Sequence, residues 1–338
     1  MCTAVSLRDR SHLFGRTLDL EFSYNEEVIV TPKRFCLEFL HEKTMAEHFA
    51  LLGAGIVSEG VPLYYDAMNE KGLAIAALHF PHYAVYRKKQ GGRANVASFE
   101  LIPWLLSQCE SVKEARELLA TTNITDEDFS PLLRSTPLHW LLSDTQESIV
   151  LESTAEGIAL YDDPYGVMTN SPPFSCQAAF LADHAGLSAH AQENRLCPDV
   201  PLRRYSHGLG GIGLPGDFSS FSRFVRAVFL VNPTAPASEE EGDIGRFFHL
   251  MDAIAVPCGS VRTDEGKEVF TVYTSCMDTA QGIYYFITRK SRQIRALRFL
   301  DAPQDSSSLY TVPMAQNQEI CFLTPAQKRG RIRENIIS

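Results

Sequence analysis

Strand-like patterning begins at the second residue, and this limits the folds open to the chain. From Cys2 to about Val57, the runs CTAVSL, HLFGRTLDL and EEVIVTP hold apolar or β-branched residues, separated by turn residues such as Asp9–Ser11. LYYDAMN and GLAIAALHF read as the next pair, connected through Asn69–Gly72. The expectation is an antiparallel meander that starts at the first residues.

Helical periodicity takes over from about Ser98, with Phe99, Ile102, Leu105, Leu106 and Cys109 on one face. Ser111 to Glu114 reads as a capping box ahead of Ala115, Leu118 and Leu119. Strands return in TPLHWLLSD, SIVLEST, GIALYDD and VMTNSP, and residues 174–195 admit a helix. The glycine-rich GLGGIGLPGD then leads into SSFSRFVRAVFLV, with Ser219 or Ser220 as N-cap and Phe221, Phe224, Val225, Val228 and Phe229 on one face. A further helix is predicted from Glu239 to Val256, its acidic start suiting the positive end of the helix dipole. FTVYTSCMD, GIYYFIT and IRALRF close the chain as strands. Strands, two helices, strands, two helices, strands is the order of a layered α+β domain with two antiparallel sheets between helical layers. We expect one domain over residues 2–327, followed by a basic tail, 328–338.

A formal net charge of -10 argues against nucleic acid as a partner, because phosphate binding needs concentrated Lys and Arg. A small anionic substrate stays open, since one buried Arg can hold a carboxylate or sulfonate. The start, MCTAVSLRDR, lacks the apolar stretch of a secretory signal. No segment approaches the roughly 18–20 apolar residues of a membrane helix. The expected compartment is the reducing cytoplasm, where the eight cysteines are thiols. Seven of them are expected to be buried small hydrophobes. No short Cys pair and no converging histidines point to a metal: His184 and His190 are six apart and fit no helix-face pair. GLGGIGLPG lacks the Lys-Ser/Thr of a phosphate loop, so no nucleotide cofactor is expected either.

The remaining cysteine stands at position 2. Removal of Met1 by methionine aminopeptidase would leave a thiol and an α-amine on one residue. An α-amine titrates near 7.7–8.0, so at neutral pH part of it is a free base that can take the thiol proton. A cysteine also falls at position 2 by chance in many proteins. GRTLD adds Arg16 and Asp19 on the strand predicted to pair with that of Cys2. An Arg beside the thiol would favour thiolate, and a carboxylate near the amine would orient it. A surface salt bridge is the plainer reading. Residues three apart in a strand point to opposite faces, so the spacing alone does not bring both to Cys2.

With MCT, FGRTLD, GLAIAALHFP, TNSP and PGDFSSFSRFVRA in sequence, the chain resembles the choloylglycine hydrolase family, which includes bile salt hydrolases and penicillin V acylases. The resemblance implies a four-layer αββα N-terminal-nucleophile hydrolase fold. It makes Cys2 the nucleophile, flanked by Arg16 and Asp19, with Asn170 a side-chain donor to the oxyanion hole and Arg223 a second active-site arginine. By residue type alone, Asn170 before Ser-Pro is equally a turn residue and Arg223 a helix side chain reaching solvent. His79 departs from the pattern: bile salt hydrolases usually carry Asn here and penicillin V acylases Tyr. The family's second oxyanion donor at this point is the backbone N–H, which any residue except proline supplies. The His79 side chain either contacts the substrate head group and adds a pH dependence near neutrality, or packs among Phe80, Tyr83 and Tyr86.

The activity implied is hydrolysis of glycine- or taurine-conjugated bile acids, with Cys2, Arg16 and His79 at the substrate and no cofactor. Loops around Phe22–Glu26, Leu63–Tyr65 and Phe129–Leu138 are apolar enough to line its cleft. Penicillin V or another N-acyl amide is the alternative substrate. A non-catalytic binding protein of the same fold, or an internal Cys/His pair, are the rivals. The resemblance also suggests a homotetramer.

Overall fold

Antiparallel pairing starts where the patterning does. In this computed structural model, which describes residues 1–232, 243–314 and 317–325, Cys2 is already in register with Leu18, and Arg8 with His12. In chain order the strands are β1 (Cys2–Arg8), β2 (His12–Leu20), β3 (Glu27–Thr31), β4 (Leu51–Ser58), β5 (Val61–Asn69), β6 (Ala74–His79), β7 (Ala94–Ala97) and β8 (Thr122–Thr125). They continue with β9 (Leu138–Ser143), β10 (Ser148–Thr154), β11 (Gly157–Asp162), β12 (Val167–Met168), β13 (Val261–Arg262), β14 (Glu268–Asp278), β15 (Ile283–Thr288), β16 (Ser291–Arg298) and β17 (Tyr310–Pro313). The helices are α1 (Leu101–Leu106), α2 (Val112–Leu119), α3 (Phe174–Phe180), α4 (Ser220–Val231) and α5 (Asp243–Asp252).

One sheet runs β12-β1-β2-β14-β15-β16, with β13 added on β14; the other runs β11-β10-β9-β6-β5-β4-β3-β17. Both are antiparallel, while β7 and β8 form a small parallel pair that the patterning did not reveal. The sheets stack, with β1 and β2 against β6. Helix α1 covers β5 and β6 on one outside, and α4 and α5 cover β1, β2, β12 and β14 on the other. The result is the expected αββα order, an α+β fold.

Strand alternation builds two cores. In β6, Ala74, Ala76 and Leu78 face the other sheet, whereas Ile75 and Ala77 face the α1 side with Ile102, Leu105 and Trp140. Each fully buried Leu or Ile contributes about 1.5–3 kcal/mol, and the sandwich needs both layers of helices to bury its outer faces.

Several elements end sooner than periodicity suggests. Phe99 and Cys109 lie outside α1, and the helix within 174–195 ends at Phe180, followed only by a 3-10 turn at Leu181–His184. Ser111 does cap α2 by accepting from Glu114 N–H, but the Glu114 carboxylate turns to Glu110 N–H instead of closing the box. The predicted acidic start Glu239–Glu241 and the tail from Lys328 lie outside the described residues. On α4, Phe224 and Val225 of the expected face are buried while Phe221, Val228 and Phe229 are only partly so, and Ser222, Arg223, Arg226, Ala227 and Val231 are buried as well, the arginines finding carbonyl partners inside. The cysteines also depart from expectation: Cys36, Cys176, Cys197, Cys258 and Cys321 are exposed, and of the seven only Cys109 and Cys276 are buried. The exposed five lie in loops, irregular segments and the outer face of α3, where no core reaches them.

Candidate active site

Pairing of β1 with β2 puts Cys2 opposite Leu18 and Ala4 opposite Arg16, so all four side chains face the second sheet. Gly15 lets β2 lie close to β14: a Cβ there would sit 2.0 Å from the Ser275 carbonyl oxygen. Next to it, the Arg16 N–H donates to Ser275 Oγ at 3.1 Å. The Arg16 guanidinium, 1% exposed, places Nη2 2.6 Å from Cys2 Sγ. Its Nη1 donates to Ala77 O at 2.6 Å and Tyr65 O at 3.3 Å, and Nε to Thr17 O at 3.2 Å. Burial opposes the charge, but the nearby Cys2, Tyr273 and Asp66 outweigh it, and the Arg16 pKa is raised. A fixed cation therefore touches the thiol.

A departure in the second sheet makes room for this. The pairing of β5 with β6 ends at Asp66 opposite Ala76, which leaves the next backbone groups of β6 free on that edge. Ala77 O takes Arg16, and His79 O accepts from Asn170 Nδ2 at 2.7 Å. Phe80 N–H donates to Pro137 O on the β9 side at 2.8 Å. Antiparallel alternation then turns the His79 N–H to the same edge as its carbonyl, beside Asn170.

Asn170 follows β12 and is fixed at both ends of its amide. Its Oδ1 accepts from Cys2 N at 2.7 Å and from Arg223 Nη2 at 2.7 Å, which orients Nδ2 toward His79. The backbone N–H of Asn170 donates to Ser220 Oγ at 3.0 Å, and Gln177 Nε2 donates to its carbonyl. Ser219 is the N-cap of α4, so Ser220 is released for this contact. Arg223 does not reach solvent: Nη1 donates to Cys2 O and to Thr3 Oγ1, the latter at 2.6 Å, and Nε to Phe218 O at 3.0 Å. Burial lowers its pKa, with Asp19 and Cys2 acting against that.

Asp19 stays on the opposite face of β2, as three-residue spacing in a strand requires. Its carboxylate accepts from Thr271 Oγ1 at 2.6 Å and Thr17 Oγ1 at 3.2 Å, below the Cys2 backbone and away from the thiol. Its main chain holds Met1: Met1 N donates to Asp19 O at 2.9 Å, and Asp19 N–H to Met1 O at 3.1 Å.

Above Cys2 opens a cavity of about 650 Å³ lined by apolar side chains that include Leu20, Tyr24, Leu63, Tyr65, Ile102, Phe129, Leu132 and Leu138. All three segments expected at the cleft converge here, though Leu63–Tyr65 is part of β5 and not a loop, and Glu26 is buried holding the 22–26 turn. His79 is exposed toward this cleft and does not pack into the core. Withdrawal of water by the cleft walls, and then the N-terminal ammonium, lower its pKa to about 4, so it does not titrate near neutrality. Ser220, Gln177, Thr3 and Thr271 went unrecognised in the sequence. Ser220 alone left a trace, as one of two serines at the α4 N-cap.

These residues occur in the setting of known amidases. The profile of linear amide C–N hydrolases, choloylglycine hydrolase family, matches residues 2–312. A bile salt hydrolase/transferase of Lactiplantibacillus plantarum is 42% identical over 93% of this chain and 97% of its own length. One of Clostridium perfringens is 38% identical over 92% of this chain and 96% of its own. A mutant conjugated bile acid hydrolase from Clostridium perfringens superposes with a TM-score of 0.88 at 35% identity, covering 96% of this chain and all 100% of that one. Penicillin V acylase from Agrobacterium tumefaciens, at 21% identity, shares the fold, with a TM-score of 0.74 over 94% of this chain and 93% of that one. The chain belongs to the choloylglycine hydrolase family of linear amide C–N hydrolases.

Proposed function

We propose that this protein hydrolyses the amide bond of glycine- or taurine-conjugated bile acids, with Cys2 as nucleophile once Met1 is removed. The contact that carries this reading is Arg16 Nη2 at 2.6 Å from Cys2 Sγ, on the floor of an apolar cleft of about 650 Å³. A steroid acyl group is a large apolar body, which suits such a cleft. Cys2 Sγ attacks the amide carbonyl. The developing oxyanion is held by the His79 N–H and Asn170 Nδ2, which share one edge of β6. Arg16 stabilises the thiolate, and Arg223 fixes the Cys2 carbonyl, while Asp19 is held by Thr17 and Thr271 on the far face of β2. The new α-amine takes the place of the Cys2 amide nitrogen, now 2.7 Å from Asn170 Oδ1. It protonates the leaving glycine or taurine, then activates water to hydrolyse the thioester.

We further infer an enzyme of the reducing cytoplasm and, from the resemblance, a homotetramer. Eight unpaired thiols suit that compartment. The exposed Leu196, Leu202, Tyr205, Phe322 and Leu323 suit burial between copies. The test is the intact mass of the purified protein together with amine release from glycocholate, taurocholate and penicillin V. Loss of one methionine with release from the bile conjugates is expected. Release from penicillin V alone moves the substrate, and release by a chain that retains Met1 overturns the mechanism.

A further inference from the structure

A buried His–Glu pair that no step above uses touches the neighbours of both oxyanion donors. His139, in β9, is fully buried, and its Nε2 lies 2.8 Å from the Thr169 carbonyl. A carbonyl only accepts, so Nε2 carries a proton. Thr169 precedes Asn170. The same imidazole stacks on the Phe80 ring, centroids 4.3 Å apart and planes within 4°, and Phe80 follows His79. On its other side Nδ1 faces Glu152 Oε1 at 3.4 Å. That oxygen also accepts from the N–H of Phe174, the first residue of α3, at 2.8 Å. Helix α3 carries Gln177, whose amide accepts from Thr169 Oγ1 at 2.6 Å and donates to the Asn170 and Pro172 carbonyls.

Such a pair is an expensive way to fill a core. Both side chains are fully buried, and Glu152 Oε2 has no hydrogen-bond partner among the described residues. Apolar residues of similar volume are often as stable or more so. What the pair supplies is placement: one ring fixes the chain at Thr169 and at Phe80, on either side of the gap that the oxyanion must enter. We propose that His139, oriented by Glu152, is a positioning residue for the oxyanion hole, an inference that rests on the reading of Asn170 and His79 as its donors. Neither His139 nor Glu152 hydrogen-bonds to Cys2 or Arg16, so the contact that favours the thiolate, Arg16 Nη2 on Cys2 Sγ, is made without them.

The test uses the processed enzyme on glycocholate, with alkylation of Cys2 by iodoacetamide followed on the N-terminal peptide by mass. His139→Phe keeps the stack on Phe80 and removes the donor to Thr169. We expect kcat to fall about 10- to 100-fold, the scale of a misplaced reacting geometry, with KM within about twofold and the Cys2 alkylation rate within about twofold of the parent. His139→Gln, which retains an N–H donor, is expected to recover most of the loss. Should His139→Phe not fold, Glu152→Gln replaces it with the same split expected between turnover and alkylation. Unchanged kcat, or alkylation falling in step with kcat, overturns the proposal. Asn170→Ala separates the two levels. If it lowers kcat and His139→Phe does not, the inference alone fails. If neither does, the oxyanion reading fails with it.

Discussion

At one end of β1, Cys2 meets Arg16 and Asn170; at the other, Ser6 meets His12 and Ser143. Both clusters are polar, both lie between the same two sheets, and burial does not separate them: Cys2 and His12 are each 3% exposed. The far cluster even looks like hydrolase chemistry, with Ser143 Oγ 2.9 Å from His12 Nε2. Yet the other ring nitrogen, Nδ1, is taken by Thr279 Oγ1 at 2.8 Å, and Ser143 Oγ is shared among Ser6, Ser148 and Arg8. Every group there is already satisfied, and nothing is left over to receive a substrate. At the Cys2 end, β5 pairs with β6 only over Asp66–Met68, and the β6 edge left open beyond Ala76 faces a cleft. A nucleophile–base contact becomes a candidate site only where the fold leaves room and unspent donors beside it.

Removing the two nucleophile candidates should break the comparison most strongly. Cys2→Ala is expected to abolish release of glycine from glycocholate while the thermal midpoint changes little. Ser143→Ala should leave turnover near the parent value and lower stability by about 1–3 kcal/mol, the cost of buried partners left unsatisfied. Turnover surviving Cys2→Ala, or lost with Ser143→Ala, would reverse the assignment. Next in size, Asn170→Ala is expected to lower kcat about 10²- to 10³-fold, as for loss of one oxyanion donor. A fall confined to KM would instead make Asn170 a binding residue.

Much of the Cys2 end was legible because its residues are local in sequence. Cys2, Arg16 and Asp19 sit on one hairpin, and the alternation that puts Arg16 at the thiol and Asp19 on the far face is a two-residue rule. The outer framework was readable for the same reason, since runs such as GLAIAALHF and FTVYTSCMD carry their own periodicity. Asn170 and Arg223 entered only through resemblance, because contacts across 168 and 221 residues of chain leave no local pattern. The burial of Arg223 was hidden for a physical reason: an arginine pattern cannot tell solvent from a set of carbonyls waiting inside. The exposed cysteines failed likewise, since burial depends on whether a layer arrives above them. The far cluster gave no signal, as isolated Ser, His and Thr residues are common in strands.

The far cluster should appear instead as pH-dependent stability. Burial, and then the charge of Arg8, lower the His12 pKa from 6.5 to about 4. Between those values the unfolded chain binds more protons than the folded one, so stability rises with pH. The contribution is complete above about 6.5 and is lost as pH falls through 4, up to about 3 kcal/mol in all. Asp163 acts with the opposite sign: burial raises its pKa from 3.8 to about 7, so its contribution declines as pH rises across that window. The useful quantity is therefore the difference between His12→Gln and parent in denaturant midpoints from pH 4 to 7. We expect that difference to shrink toward acid pH. A difference that does not vary with pH would mean His12 is not held neutral.

The smallest effect is expected at the mouth of the cleft, where charge and not position does the work. With Met1 in place, the cleft walls and then the N-terminal ammonium lower the His79 pKa to about 4, and the positive group at the mouth is Arg134, an exposed residue on the cleft lining. A glycine or taurine conjugate brings an anionic tail. An exposed pair of this kind is worth about 0.2–1 kcal/mol, so Arg134→Ala should raise KM for taurocholate roughly 1.5- to 5-fold with kcat unchanged. The same attraction is screened by salt, so KM of the parent should climb with ionic strength toward that of the variant. His79→Gln should leave the pH profile of kcat/KM between 6 and 8 as it was. If the variant and parent show the same KM at low salt, the tail is read elsewhere, and the His79 ring becomes the next side chain to remove.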